Sequence, residues 1–292
     1  MIKRVARRWR LGGAPRTSFP IIAGHHGESE YGPSQSDRAA QLLVEARRTG
    51  RPIRELPEAC RPKVAAESNA IAHEITRMLG EPIAGWKITF LYKPREIPFQ
   101  CALLASRVFD SPAEVSIKLT PSLCIEPEIT YRLLADLPPR TKLYRPEEVA
   151  EAVEACPSME IVDTRFETKE RSIRQRLNER ATLVEAYADH ITNGAFIIGP
   201  GVKDWRDIDF GAVRCRMSAD DQTIVETVGG HAFVDPFPPV VVMANQLRQG
   251  PGMKAGQVVA TGSFCGFFPV KVGQQIVADF EGVGQARAMF VA

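Results

Sequence analysis

No two of the six cysteines form a C-x-x-C pair: Cys60, Cys101, Cys124, Cys156, Cys215 and Cys265 are scattered along 292 residues. That spacing fits neither a zinc site nor a disulfide framework, and points to a reducing compartment, the cytoplasm. No window reaches about 18 apolar residues, so no membrane-spanning helix is expected. The net charge is only +2, and without a strong field of one sign nothing argues for nucleic acid as the partner. Histidine is sparse, and none occurs between His73 and His190. There is no repeat and no low-complexity segment. What remains is an ordinary globular composition, 44% hydrophobic and 25% charged, long enough for one large domain or two modest ones with a core that needs no staples.

The first 20 residues carry Lys3, Arg4, Arg7, Arg8, Arg10 and Arg16 and no acid. A disordered basic tail, an early start codon and a targeting segment all fit this composition. No apolar run of signal-peptide type accompanies it. Residues 1–35 are taken as an irregular extension. Ser36 can cap a helix through Ala39, Ala40, Leu43 and Ala46 that stops at Gly50, and Lys63–Leu79 carries a second helical pattern ended by Gly80. Residues 36–82 therefore form a small helical region.

From residue 83 to 292 the pattern changes to short β-rich runs. The candidates are Ile83–Phe90, Ser116–Leu133, Met159–Phe166, Gly194–Ile198, Val213–Ser218, Thr223–Val228, Gln257–Gly262, Val270–Phe280 and Ala286–Val291. Helices are expected at Pro146–Ala155, near Asn178–His190, and from Pro238 to just before Gly250. The class is α+β with a strongly curved mixed sheet; periodicity leaves barrel, sandwich and roll open.

The most informative stretch is Ile125-Glu-Pro-Glu-Ile-Thr-Tyr131. As a strand it sends Glu126, Glu128 and Thr130 to one face, with the two carboxylates about 7 Å apart at Cα. Like charges so placed are accommodated by a hard cation, for which oxygen ligands are suited, or by water on a solvated face. Pro127 lacks an N–H and marks an edge, a bulge or a site. A second acid, Glu160, sits beside Ile161 and Val162 and needs a partner, either a metal or a base such as Arg165. Asp163 and Arg165 share alternation and can pair with each other.

Taken together, Glu126-Pro127-Glu128 and Met159-Glu160-Ile161-Val162-Asp163-Thr164-Arg165 resemble the fumarylacetoacetate hydrolase superfamily, in its 2-oxopent-4-enoate hydratase and 4-oxalocrotonate decarboxylase branch. Gly85-Trp86-Lys87-Ile88, Ala188-Asp189-His190-Ile191-Thr192-Asn193-Gly194, Gly256–Ser263 and Phe280-Glu281-Gly282-Val283-Gly284 match in order and spacing. The resemblance implies a small helical N-terminal region plus a rolled mixed β-sheet domain. It implies Mg²⁺ or Mn²⁺ on Glu126, Glu128 and Glu160, Lys87 as a catalytic group, and Thr261 and Gly262 beside the substrate. It implies a small 2-oxo acid as substrate, and association as a homo-oligomer or with a related decarboxylase or hydratase subunit. Read from the residues alone, Lys87 could equally be a paired lysine, and Thr261-Gly262 a plain strand-end turn.

The pattern also departs from the family. Where hydratases of this branch carry an Asp-Phe-Gly segment, this chain has Phe99-Gln100-Cys101, so an acid is replaced by Phe99. The family's His-Pro with following Asn and Trp reads Asp235-Pro236, Pro238 and Val242. The proton-transfer group is then Lys87, a metal-bound water or a loop acid such as Glu96. The His of the hydrolase branch is missing, His25 and His26 fall out of register, His190 reads as a cap or core residue, and His231 as a loop residue with a pocket role left open. The expected activity is hydration of 2-hydroxypenta-2,4-dienoate. The alternatives are decarboxylation of an oxalocrotonate-like diacid with Arg95 or Arg165 near a second carboxylate, C–C hydrolysis of an acylpyruvate, and a non-catalytic partner subunit.

Overall fold

The computed structural model describes residues 34–90, 97–167 and 180–292. Most of the basic extension, with His25, His26 and Glu28, and the loop residues Arg95 and Glu96 lie outside the described residues. Helix α1 (Gln35–Thr49) starts two residues earlier than a cap at Ser36 suggested. Ser34 is the cap, because Asp37 stands three residues on and closes a reciprocal box: its N–H donates to Ser34 Oγ at 3.1 Å, and its carboxylate accepts the Ser34 N–H at 2.9 Å. Helix α2 (Ala65–Leu79) ends, like α1, at a glycine in the left-handed region. The two helices bury Ala39, Ala40, Leu43, Ile71 and Ile75 in one cluster that also takes in Phe166 and Ala188.

A large mixed sheet runs in the order β2 (Phe99–Leu104), β1 (Ile83–Thr89), β10 (Val258–Ser263), β5 (Cys124–Leu133), β6 (Val153–Val162), β7 (Asn193–Ile198), β3 (Val108–Asp110), with β11 (Phe268–Pro269) also on β5. β1–β10 and β3–β7 are parallel and the other pairs antiparallel. A second sheet is ordered β4 (Ala113–Ser116), β13 (Gly284–Val291), β12 (Gln275–Phe280), β8 (Arg214–Ala219), β9 (Gln222–Val228).

Alternation decides what each face meets. Ile129, Tyr131, Met159, Ile161, Ala195 and Ile197 turn to the second sheet and share one core with Met217, Ala278 and Phe290. On the opposite face, Leu103 of β2 is buried in one cluster with Phe196 and Ile198 of β7. Phe99 and Cys101 of β2 also lie in one buried cluster with Ile191, in the turn that leads into β7, and β2 approaches that turn directly. β2 and β7 stand near opposite ends of the sheet order, so this approach requires the sheet to curl on itself. The roll is thus selected over the open alternatives, and its concave face receives Lys87, Glu126, Glu128 and Glu160.

Several sequence-based boundaries move. The helix expected over Pro146–Ala155 is α3 (Pro146–Glu151), and Val153 already begins β6. That ten-residue strand is buried throughout and paired on both sides, so sheet hydrogen bonding overrides the helical leaning of its Ala and Glu residues. The run Ser116–Leu133 is two strands separated by a turn, and Met159–Phe166 stops at Val162. Helix α4 (Arg180–Ala188) passes into a short 3-10 turn at His190–Thr192, and α5 spans Pro238–Leu247. Among the described residues no helix is long and apolar enough to cross a membrane.

Candidate metal centre

Antiparallel pairing of β5 with β6 sets Glu126 directly opposite Glu160 and Glu128 opposite Ser158. Each of Glu126, Glu128 and Glu160 offers an oxygen, and the three oxygens lie within 4.8 Å of one another. Glu128 and Glu160 are wholly buried, and the Glu126 side chain is 13% exposed. A solvated strand face is thereby excluded. Pro127 lies in a central strand, not at an edge: β10 bulges between Ala260 and Ser263 alongside it, and the Phe264 N–H donates to the Pro127 carbonyl at 3.0 Å.

Lys87 comes from β1, on the far side of β10, and is 4% exposed. Its Nζ donates to Glu160 Oε2, stands 3.8 Å from Glu126 Oε1 and 3.4 Å from the Ile191 carbonyl. Burial alone would lower its pKa, but the three carboxylates, Glu160 first, outweigh it and hold the ammonium charged. Burial pushes the glutamates up, against the pull of Lys87: Glu128 to about 7 and Glu160 to about 8, with Glu126 raised as well. Three ionised carboxylates against one ammonium leave two negative charges uncompensated, which one divalent cation would balance.

The donor set fits such an ion. Glu128 Oε1 is buried with no hydrogen-bond partner, a costly arrangement unless something positive meets it. All three donors are hard carboxylate oxygens, as Mg²⁺, Mn²⁺ and Ca²⁺ prefer.

Thr261 and Gly262 lie at this bulge. Gly262 has φ of 116°, outside the range of side-chain-bearing residues, and its N–H donates to Glu128 Oε2 at 3.2 Å. Its first contact is therefore a carboxylate of the cluster. Thr261 is buried beside it. The Thr261 carbonyl accepts from His231 at 3.1 Å, and His231 Nδ1 accepts the Phe233 N–H at 3.3 Å, which assigns the ring proton to Nε2. His231 is thus buried against the turn.

Asn193 belongs to the same constellation and was not singled out from sequence. Its amide donates to Glu160 Oε1 at 2.9 Å and orients that carboxylate. It follows three consecutive left-handed residues, His190, Ile191 and Thr192, at φ of 49°, 52° and 56°. For L residues this conformation costs roughly 1–2 kcal/mol each. The turn aims the Ile191 carbonyl at Lys87 and delivers Asn193 to Glu160. His190 fills a core role, bonded to the Ala72 carbonyl and Thr76 Oγ1.

The base that meets Glu160 is Lys87, not Arg165. Arg165 does pair with Asp163, at 3.7 Å, but its closer partner is Asp189 at 2.7 Å. Phe99 packs its ring 4.8 Å from Tyr187, in a buried cluster with Ala72, Val184 and Ile191. Asp235 accepts the Phe237 N–H at 3.0 Å just before Pro238 opens α5, and Val242 packs against the main core.

No family model matches the chain. It is 24% identical to the 2-keto-4-pentenoate hydratase of Paraburkholderia xenovorans (strain LB400), over 88% of this chain and 96% of that relative. A 4-oxalocrotonate decarboxylase of Pseudomonas putida is 25% identical over 46% of this chain and 48% of that relative. Among solved structures, 4-oxalocrotonate decarboxylase from Pseudomonas putida G7, complexed with magnesium and adipate, superposes with a TM-score of 0.69 at 20% identity, covering 88% of this chain and 97% of that one. The same enzyme is also known complexed with calcium and acetate. Together with the rolled sheet and its helical N-terminal region, these similarities make the chain a homologue of the 2-keto-4-pentenoate hydratases and 4-oxalocrotonate decarboxylases, with the α+β fold of that group.

Proposed function

We propose that this protein is a metal-dependent lyase acting on a short 2-oxo acid or its 2-hydroxydienoic enol, with hydration of 2-hydroxypenta-2,4-dienoate as its reaction. The observation that carries this reading is the cluster of Glu126, Glu128 and Glu160 oxygens within 4.8 Å of one another around an unpartnered Glu128 Oε1, with Lys87 buried against it. The names of the full-length hydratase relatives agree with it.

Glu126, Glu128 and Glu160 hold Mg²⁺ or Mn²⁺. The ion, when bound, supplies Lewis-acid stabilisation of the negative charge that develops on the keto oxygen of such an acid. Lys87 Nζ keeps its proton and places a fixed positive charge beside the same oxygen or the substrate carboxylate. Asn193 and the Gly262 N–H keep Glu160 and Glu128 in place, so the site need not reorganise when substrate arrives. Thr261 and Gly262 line the substrate side of the turn. The concave face, closed by Leu103, Phe196 and Ala260, keeps bulk water from the buried charges.

Decarboxylation of an oxalocrotonate-like diacid is the second reading, and the environment of Phe99 favours it. That side chain is committed to an apolar cluster, so its strand supplies no acid for adding water across a double bond. Breaking a carbon–carboxylate bond needs charge stabilisation but no general base.

The test is to supply 2-hydroxypenta-2,4-dienoate with Mg²⁺ or Mn²⁺ and follow the dienol ultraviolet absorbance against an EDTA control. Metal-dependent loss with a hydroxylated 2-oxo acid as product supports the hydratase. Loss equal to spontaneous ketonisation, together with CO₂ release from oxalocrotonate, moves the assignment to the decarboxylase. Neither reaction, in protein that binds the metal, sinks the lyase reading.

A further inference from the structure

Four rings stand in a row beside the bulged turn. Phe264 is buried in the main core, and the His231 ring lies against it at 5.4 Å between centroids. Phe233 follows at 5.8 Å from His231, and Phe90, the residue after β1, meets Phe233 edge-on at 5.3 Å. The row runs from the core to the surface. Phe264 and His231 are buried, Phe233 and Phe90 are half-buried, and Val234 next to Phe233 is 63% exposed.

The row is continuous with the carboxylate cluster through Gly262. That residue donates its N–H to Glu128 Oε2 and is half-buried where Glu128 is wholly buried, so the centre opens outward on this side. Apart from its chain neighbours, a Cβ placed on Gly262 would meet only His231 Nε2 within 4 Å among the described residues, at 3.8 Å. The space in front of Gly262 is therefore free, with the imidazole along one side. His231 is held there from both nitrogens: Nε2 donates to the Thr261 carbonyl, and Nδ1 accepts the Phe233 N–H, which fixes Phe233 relative to the turn. Phe90 reaches the same end of the sheet by register, because β1 runs parallel to β10 with Lys87 beside Ala260.

The rings define the chemistry of what lies against them. None is charged, since burial lowers the pKa of His231 to about 4 and keeps it neutral. Its one ring N–H is already given to Thr261. A charged group set against the row would find neither a counter-ion nor a free donor on it, whereas an apolar chain would cover half-exposed aromatic surface. A pocket with apolar walls and its polar groups gathered at one end is the usual form of a small-molecule site; here the polar end is the carboxylate and lysine cluster.

We propose that His231, Phe233 and Phe90 form the subsite for the far end of the substrate's carbon chain, and that this end is an uncharged alkyl or alkenyl group. The inference rests on the reading of the site as a metal centre for a 2-oxo acid. With its 2-oxo acid end at the carboxylate cluster, the chain leaves over Gly262, where the missing side chain gives it room. It passes the imidazole and ends against Phe233 and Phe90. These two residues set specificity by what they cover and move no proton. A diacid of the same length is disfavoured, because its second carboxylate would lose water against rings that offer it no partner.

The experiment is isothermal titration of the full-length, Mn²⁺-loaded protein with 2-oxobutanoate, 2-oxopentanoate, 2-oxohexanoate and the six-carbon diacid 2-oxoadipate, each repeated with EDTA. Affinity should rise about fourfold with each added methylene, the worth of burying one CH₂, and 2-oxoadipate should bind at least about tenfold more weakly than 2-oxohexanoate. In Phe233→Ala, and separately in Phe90→Ala on a different element, the step per methylene should fall below about twofold. The step compares ligands within one protein, so a general loss of affinity in a variant does not imitate it. Metal-dependent binding of 2-oxobutanoate with no rise along the series, a preference for the diacid, or full steps retained in both variants would overturn the tail subsite and leave the metal centre standing. Binding of 2-oxobutanoate that is the same with EDTA as with Mn²⁺ would overturn the reading of the metal centre and the subsite with it.

Discussion

Glu126 and Glu160 face each other across the β5–β6 ladder, in direct register, with the Lys87 ammonium against both. Like charges directly opposite on neighbouring strands destabilise a sheet. The pair therefore describes a site built at the expense of the fold, and the metal-free protein should show that expense. Glu126→Gln removes one of the opposed charges and leaves Lys87 with Glu160. The EDTA-treated variant should unfold at a higher temperature than EDTA-treated wild type, by an amount of about 1 kcal/mol in stability. It should lose most of the rise in melting temperature that Mn²⁺ gives the wild type. A variant less stable than wild type without metal would argue against stored repulsion.

Asn193 donates to Glu160 Oε1, and through it would act on the proposed metal site. Asn193→Ala leaves Glu160 Oε1 without its donor, and the affinity for Mn²⁺ should fall by roughly 10–100-fold while circular dichroism stays native. Isothermal titration with both proteins checks this. Equal affinities would reduce Asn193 to a strand-end cap.

Arg165 is structural. It makes a buried pair with Asp189, a longer one with Asp163, and donates to the Asn193 carbonyl at 3.3 Å. Arg165→Met strands two buried aspartates and should cost about 3–5 kcal/mol by denaturant unfolding. Arg165→Lys keeps the charge but loses the forked geometry, and should recover part of that loss.

His190 gives stability a pH dependence of defined sign. Burial holds its pKa well below 6.5, with the charges of Arg47 and Arg165 adding to the effect. The folded state keeps the ring neutral and the unfolded state protonates it below about 6.5, so the contribution is full above that pH and is lost as pH falls. Unfolding free energies of wild type and His190→Gln, compared between pH 8 and pH 5 by the same method, should converge toward the acid end. Parallel curves would contradict the assignment.

Element types were largely legible because hydrophobic period and turn residues carry them: Gly50 and Gly80 end their helices, and the Glu126–Thr130 alternation places both acids on one face. Element ends were less so. Ser34 outcompetes Ser36 because a partner three residues on completes the cap, and β6 starts at Val153 because two neighbouring strands demand it. In the site, acids on adjacent strands could be suspected from sequence because each is an isolated charge in an apolar run. Asn193 could not, and His231 was legible only as a loop residue with a pocket role left open, since their contacts come from a strained turn and a loop brought together only by the roll.

Mn²⁺ titration of the metal-free protein, followed by electron paramagnetic resonance, tests most directly whether Glu126, Glu128 and Glu160 together hold a divalent cation. Wild type should bind one ion per chain. Glu160→Gln and Glu128→Gln should each weaken that binding at least about tenfold, or roughly 1.4 kcal/mol. Unchanged affinity in both variants would contradict the site and, with it, the lyase built on it.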